Sequence, residues 1–278
     1  MVNERLQQLQ QRYGYGEARA LYELVMQRRF GLSRTDILLG KDTILSADDK
    51  AELQIIIDRI EKGEPVQYVL GSEEFCGRSF LVGPGVLIPR PETQQLVHLD
   101  EQYVAPDSRV LDIGTGSGCI AITLALAGYH LTAFDVSKEA LDYAHRNAVR
   151  LGAEVNFVQV DITASTPFPS SFPSRFDAIV SNPPYICRKE AKQMNENVLL
   201  HEPHLALFVP DDDPLLFYRA IADFGCLQLV NAGWLLFETN RAYAGQVGEL
   251  LQQKGYRNIM LVKDQYDNER FVIGRLGD

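Results

Sequence analysis

Val110-Leu111-Asp112-Ile113-Gly114-Thr115-Gly116-Ser117-Gly118 is an apolar run that breaks into three alternating glycines. The run suits a short buried strand, and Ile120 to Ala127, which follows, suits a helix. Glycines between a strand and a helix let the backbone turn tightly and let a ligand approach the peptide groups. The spacing is GxGxG. A dinucleotide fingerprint would place Gly or Ala at position 119, where Cys119 stands, and no Lys follows as in a phosphate loop. By itself such a turn is also what any tight connection uses, so the segments around it decide its meaning. Leu131 to Phe134 reads as a second strand ending at Asp135, and Ser137 is placed to cap a helix over Lys138 to Leu151. Val155 to Val160 reads as a third strand ending at Asp161, and Phe176 to Val180 as a fourth ending in Asn182-Pro183-Pro184-Tyr185. Trp234 to Phe237 ends at Glu238, a helix spans roughly Tyr243 to Gln253, and strands near 257–263 and 270–275 close the chain. Seven strands alternating with helices predict an α/β fold with a parallel, doubly wound, Rossmann-like sheet.

Upstream the periodicity changes. Ala18, Leu21, Tyr22 and Val25 share one helical face, as do Leu53, Ile56, Ile57 and Ile60. Ser46 with Asp49 resembles a capping box before the second stripe, and Gly63 and Pro65 end it. Phe75 and Phe80 flank Cys76-Gly77-Arg78, a turn between extended segments, so a short hairpin is predicted. Gly83-Pro84-Gly85 and Ile88-Pro89-Arg90-Pro91-Glu92 mark a connector. The division is therefore a helical domain over 1–72, a hairpin and hinge over 73–92, and a sheet domain over 93–278.

Composition narrows the partners. Lys and Arg number 27 against 37 Asp and Glu, a formal charge of −10. That field repels phosphate backbones, so no direct nucleic acid partner is expected unless a local basic patch binds one. The 46% hydrophobic content supports a real core. No apolar run of about 18 residues predicts a membrane span. Met1 to Gln11 is polar and lacks the apolar stretch of a signal peptide, so the expected location is the cytoplasm. Cys76, Cys119, Cys187 and Cys226 form no CxxC pair, and neither a zinc site nor a disulfide framework is expected.

Three strand ends carry the chemistry. Gly114, Thr115, Gly116, Ser117 and Gly118 form the first. Asp135 is placed to accept hydrogen bonds from both hydroxyls of a ribose, and Asp161 to meet an adenine edge. The alternative for each acid is a helix cap or a solvated turn residue. At Asn182-Pro183-Pro184-Tyr185 the two prolines stiffen the backbone and remove two N–H groups. The Asn182 side-chain oxygen and the Pro183 carbonyl can then face one point as acceptors for a planar NH₂ group, on which Tyr185 can stack.

Together these features resemble class I S-adenosylmethionine-dependent methyltransferases that act on a planar nitrogen. Gly63-Glu64-Pro65-Val66-Gln67-Tyr68-Val69-Leu70-Gly71, Phe75-Cys76-Gly77-Arg78-Ser79-Phe80, Leu87-Ile88-Pro89-Arg90-Pro91-Glu92-Thr93 and Asp177-Ala178-Ile179-Val180-Ser181 before the tetrad closely resemble the release-factor glutamine methyltransferases (the PrmC/HemK family). The likeness covers nearly the whole chain, with departures at Gln94, Ile162, Val209 to Asp213 and Glu269. It implies a seven-stranded class I methyltransferase sheet with a small N-terminal helical domain. It implies transfer of a methyl group from S-adenosyl-L-methionine to the side-chain amide nitrogen of the glutamine in the Gly-Gly-Gln motif of class I peptide-chain release factors, leaving S-adenosyl-L-homocysteine. Gly114, Thr115, Gly116, Ser117, Gly118, Asp135, Asp161, Ile162 and Asn182 would bind the cofactor. Asn182, Pro183 and Tyr185 would act in catalysis, and Asn182, Pro183, Pro184, Tyr185, Arg90 and Glu92 would meet the substrate. For Arg90 and Glu92 the alternative is a salt bridge across the hinge. The N-terminal helices would grip the release factor or only buttress the sheet domain. A monomer without metal is expected. The rivals are an amino-methyltransferase of a nucleobase, a glutamine methyltransferase of a ribosomal protein, and a silent cofactor-binding protein.

Overall fold

The computed structural model describes residues 4–164 and 175–277. The chain divides into two compact units, Met1–Ser72 with Asn195–His201, and Glu73–Met194 with Glu202–Asp278. The stretch 1–72 expected from the sequence is thus joined by the short segment Asn195–His201, through chain folding that no local pattern encodes.

The first unit is helical, with α1 (Glu4–Phe30), α2 (Arg34–Leu38), α3 (Ala47–Glu61) and α4 (Val66–Leu70). Helix α1 is broken at Gly14, whose φ of 70° leaves the helical region. Ser46 caps α3 by accepting from the Asp49 N–H at 3.1 Å. The apolar stripes close on each other: Ala18, Tyr22 and Val25 of α1 and Leu53, Ile56, Ile57 and Ile60 of α3 are all buried in one core.

A two-stranded hairpin of β1 (Ser72–Phe75) and β2 (Arg78–Leu81) follows. Cys76 and Gly77, at φ 47° and 70°, make its turn. Then come α5 (Thr93–Tyr103), β3 (Arg109–Ile113), α6 (Cys119–Leu126), β4 (His130–Asp135), α7 (Lys138–Leu151), β5 (Val155–Gln159), β6 (Phe176–Ser181) and β7 (Ile186–Cys187). After α8 (Glu196–His201), which falls in the first unit, the chain continues through α9 (His204–Leu207), β8 (Phe208–Val209), α10 (Leu216–Gln228) and β9 (Leu229–Glu238). It ends with α11 (Ala244–Gln253), β10 (Tyr256–Lys263) and β11 (Glu269–Leu276).

Seven strands form the main sheet in the order β10-β11-β9-β6-β3-β4-β5. Along β3, β4, β6 and β9 successive side chains enter different cores. Val110, Ala133, Val180 and Leu236 lie in one, and Leu111, Phe134, Ile179 and Leu235 in the other. Both faces are therefore covered, as a parallel sheet requires. The expectation of a parallel sheet fails at one strand: β11 pairs antiparallel with both β9 and β10, while β10 runs in the same direction as the other five. The reason is the length of the link. Residues 264–268 are too few for a parallel crossover, which needs a dozen or more. Asp264 closes this turn by accepting from the N–H groups of Tyr266 and Asn268 at 2.8 and 3.0 Å. No helix among the described residues is long and apolar enough to cross a membrane.

Candidate active site

Strand register builds the site. Ile113 pairs with both Phe134 and Ser181, and Ser181 pairs with Phe237. The next residue along each of these strands is Gly114, Asp135, Asn182 and Glu238, so the four stand in a row at the carboxyl edge of the sheet. The chain runs from β3 outward through β4 and β5, then returns to β6 on the other side of β3. Such a reversal opens a crevice where α/β sheets bind ligands.

At the glycine turn, the N–H groups of Gly114 and Thr115 both donate to the Phe134 carbonyl at 2.9 Å. Thr115 Oγ1 donates to Asp112 Oδ2 at 2.7 Å beneath the turn. Burial pushes the Asp112 carboxyl up to about 7, against the pull of that hydrogen bond. Gly114 and Gly116 take φ 77° and 55°, a region that strains L side chains. A Cβ at either would meet no protein atom within 4 Å, so each glycine keeps space empty on the ligand side. Gly118 differs: a Cβ there would press on Ile122 and Ala144, at 2.8 and 3.2 Å. Its small size lets α6 approach α7.

Asp135 is locked by the same turn. Its Oδ2 accepts from the Gly116 N–H and its Oδ1 from the Ser137 N–H, both at 2.9 Å. Each oxygen has a further lone pair for a ligand hydroxyl. Burial raises the pKa of this carboxyl while the backbone N–H groups hold the rise down. Asp161 is exposed, and its Oδ1 accepts from the Thr163 N–H and hydroxyl at 2.9 and 2.6 Å. It is thus a turn-closing residue as well as a cavity wall.

A cavity of about 350 Å³ lies along this edge, a volume within the range of small-molecule sites. Gly114, Gly116, Asp135, Asp161 and Ile162 line one part of it. Asn182, Pro183 and Pro184 line another. Thr115, Ser117 and Gly118 support the turn without lining the cavity, and Ser117 is buried. Tyr185 also stands outside the lining; its hydroxyl donates to Glu238 Oε1 at 3.2 Å, and burial followed by the Glu238 charge raises the pKa of the phenol. Arg90 binds Glu202 Oε1 at 2.6 Å, while Glu202 Oε2 accepts from the Ile88 N–H at 3.0 Å. Glu202 is buried and thereby pins the 88–90 segment. Glu92 sits just before α5 and does not line the cavity.

Four residues that brace the site carry no role legible in the sequence. Thr93, Glu238 and Glu202 are the first three. The fourth, Asn147 of α7, donates to the carbonyls of Leu81 and Ser117 at 3.1 and 2.9 Å and accepts from the Leu81 N–H at 2.7 Å. A polar residue on the inner face of an otherwise apolar helix stripe is the signal that could have found it.

Two family models match the chain: the methyltransferase small domain over residues 93–207 and the PrmC N-terminal domain over residues 2–71. A release factor glutamine methyltransferase of Bacteroides thetaiotaomicron is 45% identical over 96% of this chain and 95% of its own length. One from Bacillus subtilis is 38% identical over 90% of this chain and 88% of its own. Among solved structures, a methyltransferase from Pyrococcus furiosus matches with a TM-score of 0.54 at 17% identity, over 84% of this chain and all of that one, a likeness of fold.

Proposed function

The chain belongs to the release factor glutamine methyltransferase family, and on that premise we propose that it transfers a methyl group from S-adenosylmethionine to the side-chain amide nitrogen of the glutamine in the Gly-Gly-Gln motif of class I release factors. The single observation that carries this reading is one cavity lined by Gly114, Gly116 and Asp135 on one part and by Asn182 and Pro183 on another. The residues present fit the cofactor on two counts. The two glycines leave open space where side chains would stand, and both Asp135 oxygens are fixed yet retain acceptor capacity. Gly114 and Gly116 would face its methionine end, Asp135 its ribose, and Asp161 with Ile162 its adenine. When bound, it supplies an electrophilic methyl group on a sulfonium sulfur.

An amide nitrogen is a poor nucleophile because its lone pair is delocalised into the carbonyl. Asn182 Oδ1 and the Pro183 carbonyl would accept both of its N–H bonds and turn the lone-pair face into the cavity. Oxygen acceptors would also favour the positive charge that grows on the nitrogen as the N–C bond forms in place of the donor's S–C bond; one N–H proton would then leave to water, so that the methylated amide ends neutral. Positioning and electrostatics then account for most of the acceleration.

Residues 1–72 are assigned to gripping the release factor, with the hairpin and hinge over 73–92 leading into the catalytic domain. The acceptor is read as protein rather than nucleic acid because the chain carries −10, and its first 70 residues hold 10 Lys and Arg against 11 Asp and Glu. A cytoplasmic monomer completes the reading. To test it, the protein is incubated with methyl-labelled S-adenosylmethionine and, separately, release factor, its tip Gln-to-Ala variant, ribosomal protein and DNA. Label is expected on the release factor alone. Label on DNA, or label persisting at the same site on the variant, rejects the proposal.

A further inference from the structure

Asn182 does not stand alone at the edge of the sheet. Its Nδ2 donates to Thr93 Oγ1 at 3.2 Å. Thr93 Oγ1 donates to Glu238 Oε2 at 2.8 Å, and the Tyr185 hydroxyl donates to Glu238 Oε1 at 3.2 Å. Thr93 and Glu238 are both buried, and neither lines the cavity. The chain of bonds has a direction. Both Glu238 oxygens accept, one from Thr93 and one from Tyr185, so the single proton of the Thr93 hydroxyl is committed to Glu238. Toward Asn182 the hydroxyl can therefore only accept, and the amide must present its NH₂ end to it. Asn182 Oδ1 is left on the other side, free to accept. Burial raises the pKa of Glu238, whereas the hydroxyls of Thr93 and Tyr185 and the charge of Arg270 favour its ionised form.

We infer that Thr93, oriented by Glu238, is a positioning residue that fixes which end of the Asn182 amide faces the cavity. Resting on the methyl-transfer reading above, this deepens it: the acceptor geometry at Asn182 is set by a buried hydroxyl and carboxylate that never touch the substrate. An amide free to rotate by half a turn would offer N–H donors to a substrate NH₂ that has only donors of its own. Such a mismatch excludes the productive pose rather than merely weakening it.

The test uses the full-length protein with Thr93→Val, which keeps the shape and removes the hydroxyl, and Thr93→Ser, which keeps the hydroxyl. With release factor as acceptor, T93V is expected to lose on the order of 10- to 100-fold in kcat, and T93S to restore most of it. Affinity for S-adenosylmethionine, by calorimetry, should stay within about twofold in both, since Asp135 and the glycine turn are untouched. A second measurement needs no acceptor. In ¹⁵N-labelled protein the Asn182 side-chain NH₂ signal, assigned by its loss in Asn182→Ala, should show slowed proton exchange in wild type and T93S but not in T93V. Equal kcat in T93V and wild type overturns the inference, as does equal loss in T93S and T93V, or identical NH₂ exchange in all three. Absence of methyl transfer to the release factor by wild type would overturn the substrate reading alone, because the NH₂ signal still reports the hydrogen-bond chain.

Discussion

At Asn182 the chemistry turns on a few oxygen lone pairs, and at Asp135 on a carboxylate held by two backbone N–H groups. The two residues should fail differently. Asn182→Ala removes an acceptor used on the substrate, and kcat is expected to fall about 10²- to 10³-fold, the scale seen when one preorganised polar group is lost. Cofactor affinity by calorimetry should fall far less, because Asn182 is one of several residues assigned to the cofactor; equal loss of both would sink the assigned role. Asp135→Ala should instead weaken cofactor binding first, and an unaltered dissociation constant would count against the ribose assignment. Both residues were legible because each stands at the carboxyl end of a strand, Asp135 as its last residue and Asn182 just past it, which the local pattern of apolar run and break reveals. Thr93 and Glu238 were not: they meet across 145 residues of chain, and a lone Thr at a helix start or a Glu at a strand end carries no mark of its partner.

Among the elements, the turn from β3 into α6 shows two kinds of glycine that the GxGxG spacing cannot tell apart. Gly116→Ala would add a methyl group into open space at a strained φ, so its effect falls on backbone strain, of order 1 kcal/mol, and on cofactor affinity. Gly118→Ala, at a φ of 81°, would carry the same backbone strain and also press a methyl group on Ile122 and on Ala144 of α7, an overpacking expected to lower stability by about 1–3 kcal/mol more. Urea melts of the two variants beside wild type check the contrast, and equal destabilisation would refute the division of roles. Asn147 holds the same junction from α7. Removing its side chain in Asn147→Ala leaves the Leu81 N–H and the Leu81 and Ser117 carbonyls without their partner. A loss of roughly 1–3 kcal/mol is expected, chiefly from the buried Ser117 carbonyl, and a midpoint matching wild type would show the bonds to be dispensable. The sequence pattern placed the strands well because burial on both faces writes itself as continuous apolar runs. It missed the antiparallel final pair because strand direction is set by the link, and the five residues 264–268 had to be counted rather than read for hydropathy.

At the scale of the whole molecule, acidity reaches into the core, where it ties stability to pH. Asp100 of α5 is buried, neither of its carboxyl oxygens has a hydrogen-bond partner among the described residues, and burial, with the charges of Glu101 and Asp112, pushes its pKa up to about 8. Asp112, raised to about 7 chiefly by burial, adds to the same effect. An unfolded Asp titrates near 3.8. Between that value and the folded one, the unfolded chain releases a proton that the folded chain keeps. Unfolding is therefore favoured progressively as pH rises through this window, and the effect levels off above about 8. The sign is opposite to that of a salt-bridged carboxylate, whose contribution is lost on acidification. Asp100→Asn preserves the shape and cannot ionise. Its stability relative to wild type should be near zero at pH 4, grow through neutrality, and reach a gain on the order of a few kcal/mol above pH 8. Urea midpoints for both chains at pH 4, 6, 7 and 9 measure this difference, and a difference that does not change with pH would mean that the buried carboxyl is not the group whose proton the fold retains.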